Sequence, residues 1–520
     1  MQQAPPALAV TGDRGIDVRR IALRKVLVPA FALALVAAAC GGDDDDSDSA
    51  GGTEPAGTEA PAATEAPADT EAAEETSPPE DTEATEDTEA TEGTEAEDGG
   101  GAEAASAMVV PGGDGSADLG PFKLGVINSN DLFPDYGGAV EAAVEYANAE
   151  LNGLEGRQIE LNLCAIDYNV PEDTQRCANE LAAAQVDFVI STINQFGTHM
   201  QILRGAGIPV IIGTPVSVLD YTTEGVYALA GAGCAGSLTG MSKYAAEELG
   251  AQRIAIPYTD IPSGVLCYAD SEQKPLDILK GTVEGATSPD AGSIPDLERQ
   301  GFAIPPNEPD LTSIANQILA YEPDAIIFSA AATVCFPLLN ALTSVGYSVE
   351  EVPFVMTTSC FDQTAATDAG ESANGIYFVG SPPFLSQDPA TLDADQAEQA
   401  TLYQEKVVEY GLPADLMTRN FAQQGFIVTM SMVQRAAEVA AAGEQVDGQT
   451  LADAFAATDN APQFGSTPIS CSAATAPYIS VCNSTVSVAQ WNGESRDTLI
   501  DEYSAIELVE GTEIRTTPVD

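Results

Sequence analysis

Lys123-Leu124-Gly125-Val126-Ile127-Asn128, the helically spaced Val140, Ala143, Val144 and Ala147, and the run 159–166 together decide the fold. The first and last are short apolar runs of strand length. Between them, over 137–151, apolar residues recur three and four apart, the period of a helix with one buried face. Asn152-Gly153 punctuates the end of that helix. Strand, helix and strand in this order predict a parallel sheet with helices packed on its faces.

The alternation continues downstream. Helices are expected over 174–184 and from Thr198, and strands over 187–190 and 208–212. A second series follows Cys234, with helices over 238–249, 311–320 and 335–345 and strands over 253–257, 325–328 and 353–356. Residues 375–379 read as a strand like those of the first series. Two long helices, 396–410 and 420–442, come next, and the Ser/Thr/Val-rich stretch 469–490 reads as strands. About 400 residues are too many for one hydrophobic core, so two lobes are expected. The chain would leave the first lobe, build the second and cross back more than once. The lobes are placed at 120–233 plus about 371–430, and at 234–370 plus about 431–510.

Upstream, Arg24-Lys25 leads into an apolar run of 14 residues, Val26 to Ala39, which stops at Cys40. A membrane-spanning helix needs roughly 20, and the basic flank with a small-residue exit is that of a secretory signal. The string Leu35-Val36-Ala37-Ala38-Ala39-Cys40 resembles a bacterial lipobox, although Ala37 stands where such motifs usually carry leucine. The resemblance implies that 1–40 is a lipoprotein signal and that Cys40 is lipidated. Residues before Arg19 suit a signal poorly, so a start near Val18 would give a more ordinary leader.

Residues 41–107 hold 23 acidic side chains and no Lys or Arg, in Thr-Glu-Ala and Thr-Glu-Asp-Thr near-repeats. Without large apolar residues such a segment cannot offset its ordering entropy, so 41–119 is expected to be a disordered acidic linker. From residue 108 onward there are still 55 acidic and 14 basic side chains. That charge disfavours nucleic acid and anionic lipid surfaces as partners and suits a saline habitat, where counter-ions screen the repulsion.

Nine cysteines less Cys40 leave Cys164, Cys177, Cys234, Cys267, Cys335, Cys360, Cys471 and Cys482. An even number in an exported chain reads as disulfides. The strand–helix order brings sequence neighbours together, so the pairs expected are 164–177, 234–267, 335–360 and 471–482. Metal binding is the competing use of cysteine. No CxxC occurs and His199 is the only histidine, so no metal site is expected.

Several short motifs recur in one order: Leu124-Gly125-Val126, Tyr136-Gly137 opening the first helix, and alanines leading to Asn152-Gly153. Gly207-Ile208-Pro209-Val210-Ile211, Tyr321-Glu322-Pro323-Asp324-Ala325-Ile326 and the closing Val488-Ala489-Gln490-Trp491 complete the series. From Phe122 to about Gly493 the chain resembles the type I periplasmic binding proteins, specifically solute-binding lipoproteins of branched-chain amino acid and amide ABC importers. The resemblance implies an α/β fold of two Rossmann-like lobes joined by a multi-crossover hinge. A ligand would lie in the cleft between lobes, where strand C-termini gather.

It also implies site residues. Tyr136 would lie against the ligand. The turn Asn194 to Thr198 would hold a carboxylate through backbone N–H groups, with Gln195, Phe196 and Thr198 in contact; Thr198 has an alternative use as an N-cap. Pro215, Val216 and Ser217 follow the fourth strand, and Ile261, Ala331, Thr333, Thr358 and Ser359 mark the second lobe. Amino-acid binders place an acid near Thr358 for the ammonium group, and here Asp362 is only nearby. His199 is a candidate pH sensor, with a solvated or core-edge position as the alternative.

The resemblance further implies a monomeric, tethered protein that passes a small organic solute to ABC permease subunits, with no cofactor and no catalysis. The competing functions are a sensory receptor of the same fold and an extracellular enzyme. For the enzyme, the lone His199 lacks a GxSxG partner.

Overall fold

The computed structural model describes residues 107–330, 332–382 and 384–519, all within the unit Ala96–Asp520. The leader, Cys40, residues 41–106 of the linker and Ala331 lie outside the described residues. Residues 107–119 are not linker. Val109 is buried, and the buried Ser116 hydroxyl accepts the Val446 amide at 2.7 Å. The start of the globular chain therefore lies upstream of Leu119: one buried apolar side chain and one buried hydroxyl pin a segment that polar composition alone placed in the tether.

The first sheet comprises β1 (Phe122–Asn128), β2 (Ile159–Ala165), β3 (Phe188–Ile193), β4 (Val210–Thr214) and β5 (Val226–Ala228). These strands are parallel in the order β2-β1-β3-β4-β5. Every residue of β3 is buried, as expected of a parallel strand covered on both faces. Successive side chains alternate between two cores. Phe122, Leu124, Val126, Phe188 and Ile190 face the helix Pro134–Glu150, while Ile127, Val189, Val210 and Ile212 pack with Cys177, Leu181, Met200 and Leu203.

The second sheet repeats this order. It contains β6 (Arg253–Thr259), β7 (Glu298–Ile304), β8 (Ala325–Phe328), β9 (Phe354–Thr357) and β10 (Tyr377–Gly380), arranged β7-β6-β8-β9-β10. Two antiparallel strands, β11 (Val486–Trp491) and β12 (Arg496–Tyr503), extend its edge. The stretch expected as a first-lobe strand at 375–379 is β10, paired with β9 and β11 in this second sheet. Apolar periodicity identifies a strand but not its hydrogen-bonding neighbour. Here the crossover through the helix Gln363–Ala369 returns the chain to the same sheet.

The helix Asn420–Ala441 runs through the expected boundary at 430 and packs along Pro134–Glu150. The helix Gly448–Ala456 also belongs to the first lobe, since its Phe455 meets Phe188 and Tyr227. The chain thus passes between lobes after β5, after β10 and before β11. These crossings are tied to one another. Ser381 Oγ donates to the Ala230 carbonyl at 2.7 Å, and the Ala228 amide donates to the Ser480 carbonyl at 2.8 Å. All four disulfides join the sequence-neighbour pairs expected.

A buried ionic cluster fixes the C-terminal segment to the second lobe. Lys274 Nζ lies 2.5 Å from Asp270 Oδ1, with both side chains 2% exposed. Tyr478 Oη donates to the other Asp270 oxygen at 2.7 Å, and the Arg515 amide also donates to Asp270. Removing one partner of a buried pair strands the other charge. Lys274→Met should therefore lower unfolding free energy by about 3–5 kcal/mol in denaturant titrations. Arg176→Ala, at an exposed pair with Glu180, should change it by no more than about 1 kcal/mol. Equal effects would remove the cluster from any special role.

Candidate functional site

A cavity of about 620 Å³ lies between the two sheets. The C-terminal end of each of the ten parallel strands, or the segment just after it, contributes to its wall, from Leu132 after β1 through Ile193 at the end of β3 to Ser381 after β10. This follows from the topology. Parallel strands return through helices, so their C-terminal ends all point one way and open onto the same space.

The first-lobe wall is aromatic. Phe133 packs edge-on against Tyr168 and Phe421, with ring centroids 5.6 and 5.3 Å apart. Thr214 Oγ1 donates to Gln424 Oε1 at 2.8 Å, and both residues line the cavity. The second-lobe wall carries hydroxyls. Ser329 Oγ and Thr357 Oγ1 are 3.2 Å apart, Thr357 Oγ1 and Ser359 Oγ 2.5 Å, and Ser359 donates to the Ala330 carbonyl. Contacts cross the cleft, with Tyr168 Oη 3.1 Å from Ser263 Oγ and Arg419 3.1 Å from Asp362. Asp135 also faces Arg419, and its pKa is raised to about 6, chiefly by burial.

Of the residues expected at the site, Val216, Ile261, Thr358 and Ser359 line the cavity. Tyr136 does not. It is fully buried behind the wall, stacked on Phe421 at 6.2 Å, and a Cβ on Gly213 would meet its Oη at 2.1 Å. The aromatic contact expected of Tyr136 falls to Phe133 and Phe421 instead. Gly425 allows the same close approach, since a Cβ there would meet the Tyr136 carbonyl at 2.6 Å.

The turn expected to hold a carboxylate is closed on itself. Asn194 Oδ1 accepts the amides of Phe196 and Gly197 at 3.1 and 3.4 Å. Phe196 and Thr198 are absent from the cavity wall, and Thr198 makes no side-chain cap bond. Gln195 also stands off the wall but acts on it, since Nε2 donates to the Tyr168 carbonyl at 2.8 Å and holds that loop. Ser217 is used as a helix cap in a capping box with Asp220, and the Pro215 carbonyl accepts from Tyr221 Oη. Thr333 is exposed, and its neighbour Val334 lines the cavity instead. Asp362 caps the helix Gln363–Ala369 and pairs with Arg419.

Sequence reasoning missed Phe133, Tyr168, Phe421 and Gln424. Phe133 precedes the Pro134 that starts its helix, and Phe421 and Gln424 lie one turn apart at the start of theirs. Only strand–helix boundaries marked these positions.

A family model described as periplasmic binding protein matches residues 128–492. No curated protein sequence matches the chain. Among solved structures, the fold is similar to a leucine-binding protein from Thermotoga maritima at 14% identity and TM-score 0.53, covering 72% of this chain and 97% of that one. A fatty acid ABC transporter substrate-binding protein from Thermomonospora curvata gives 17% identity and TM-score 0.57, covering 78% and 98%. A solute-binding protein from R. palustris in complex with 4-hydroxybenzoate gives 17% and 0.54, covering 74% and 97%.

His199 is neither solvated nor in the cavity. It is fully buried with Nε2 2.8 Å from Ser191 Oγ, and burial lowers its pKa to about 3. The unfolded imidazole titrates near 6.5. Between those values the unfolded state binds the extra proton, so stability is present above about pH 6.5 and is lost as pH falls towards 3. Denaturant titrations should show a His199 contribution of about 1.4 kcal/mol per pH unit below 6.5. His199→Gln should flatten that slope, and identical slopes would contradict the assignment.

Proposed function

As this chain belongs to the periplasmic binding protein family, we propose that it captures a small organic solute in its inter-lobe cavity and passes it to the permease subunits of an ABC importer. The convergence of ten strand ends on one aromatic- and hydroxyl-lined cavity carries the reading. A cavity of about 620 Å³ is in the range of small-molecule sites. Its aromatic wall favours a solute with an apolar body, and its hydroxyls offer directional hydrogen bonds. The related folds include a leucine-binding protein, a fatty acid binder and a hydroxybenzoate complex. Solutes of that size and mixed polarity are the class to test here.

Closure of the lobes over solute, with the paired crossings as the hinge, would couple capture to docking. The Tyr168–Ser263 and Arg419–Asp362 contacts would favour the closed arrangement. The protein works outside the cytoplasm as a monomer, anchored by lipid on Cys40 and held off the membrane by the acidic tract that follows. No step makes or breaks a covalent bond in the solute.

Thermal melts against amino acids, amides, amines and aromatic or aliphatic carboxylates should reveal a stabilising solute. A ligand at about 100 times its Kd adds about 2.7 kcal/mol. Ser237→Trp, which fills the cavity from the helix Gly233–Lys243, should abolish that shift while leaving the unliganded melt near wild type. A shift that survives the tryptophan places the solute elsewhere. For the anchor, Cys40→Ser should release the protein from cell membranes into the soluble fraction, and unchanged membrane retention would exclude lipid on Cys40.

A further inference from the structure

One side chain on the cavity wall has no role in the fold or in the contacts across the cleft. Glu272 lines the cavity, is 2% exposed, and its Oε1 has no hydrogen-bond partner. Among the described residues, no other Asp, Glu, Lys or Arg lines this space. A buried carboxyl without donors is costly, and native proteins retain few such groups without a use.

The backbone explains how it is placed. Pro275 has no N–H to offer the carbonyl of Ser271, and its ring crowds that group. The helix widens to a π-turn over Tyr268–Gln273, between Pro262–Cys267 and Lys274–Lys280. Such widened turns concentrate at functional sites. Here Cys267 and Glu272, five residues apart, both reach the cavity. Cys267 is bonded to Cys234 on the helix Gly233–Lys243, and Ser242 Oγ of that helix donates to the Glu272 carbonyl at 3.4 Å. The backbone that carries the carboxyl is therefore held to a second helix by a hydrogen bond and a disulfide.

The cations that meet this helical stretch are already engaged. Lys274 pairs with Asp270, and Arg299 and Arg515 pair with Asp277. Burial raises the Glu272 pKa well above the ordinary carboxylate value, so a cation arriving in the cavity would supply the counter-charge the site lacks. Aromatic faces complement the same ligand class. Tyr258 lines the cavity, stacked on Tyr268 at 4.2 Å, and the Phe133, Tyr168 and Phe421 group stands in the same wall. A ligand carboxylate has no such reception. Among the described residues no Lys or Arg lines the cavity, and the amides of Phe196 and Gly197 are occupied by Asn194.

Resting on the solute-capture reading, we propose that the solute is an organic amine without a required carboxylate. Its ammonium group is received by Glu272, and its apolar body lies against the aromatic wall.

Calorimetric titration of the intact protein with phenethylamine, hexylamine, phenylacetate, 2-phenylethanol and phenylalanine tests this. Both amines should bind, with phenylacetate and 2-phenylethanol weaker by at least about 10-fold. Glu272→Gln should weaken phenethylamine by at least about 30-fold, the scale of losing a buried charge pair, at a melting temperature no lower than that of the wild type. Glu272→Asp, which keeps the charge, should preserve the preference for amine over carboxylate, so the result does not rest on one variant. Equal binding of amine and carboxylate would overturn the proposal. So would amine binding unaffected by the glutamine substitution, phenylalanine far tighter than phenethylamine, or no amine binding at all. In each of those cases, a solute of any other charge displaced by Ser237→Trp would leave the capture function standing.

Discussion

The whole molecule depends on the requirement that a parallel strand return to its sheet through a crossover. Each return places a helix on a face and a loop at the strand's C-terminal end. Applied four times in each sheet with the same spatial order, it buries the inner strands on both sides and gathers ten strand ends at one opening. The cleft is therefore not carved out of a core but left over where the two sheets face each other. Its walls are built from loops and helix starts set on the rigid sheets, the parts of such a fold where chemistry varies most readily.

Tyr136 shows how closely the packing approaches that wall. The ring fills the space beside Gly213 and Gly425, and its stacking on Phe421 sets one surface that a solute would meet. A side chain at either glycine would have to displace the tyrosine or the backbone. The aromatic wall is thus positioned from behind by a residue that does not itself reach the cavity.

The alternation of strand and helix was legible because buried parallel strands such as β3 are continuous apolar runs. Disulfide pairing was legible because each cysteine bonds its neighbour in sequence, as Cys164 at a strand end does with Cys177 on the helix that follows. The sheet membership of β10 was not, because a strand's own residues do not name its partner. Phe133 and Phe421 lie far apart in the chain and meet only through the packing of Pro134–Glu150 on Asn420–Ala441, which no local pattern encodes. Glu272 was hidden among Asp270, Lys274 and Asp277, where alternating charge reads as a solvated face. Pro275, inside that run, was the available signal that the helix could not continue regularly. The expected carboxylate clamp failed on one residue, Asn194, whose side chain takes the amides that a shorter hydroxyl would have left open.

The same long-range packing bears on how the chain matures. Emerging N-terminus first, it presents the apolar side of Pro134–Glu150 long before Asn420–Ala441 arrives to cover it, and the second sheet likewise waits for β11 and β12. Uncovered apolar surface of this kind is what chaperones shield. The cysteines keep a different schedule. Their separations are 13, 33, 25 and 11 residues, so each bridge can close as soon as its own stretch has been delivered. Covalent cross-linking can thus run ahead of burial, leaving an oxidised but unfinished molecule whose first lobe is completed near the end of delivery.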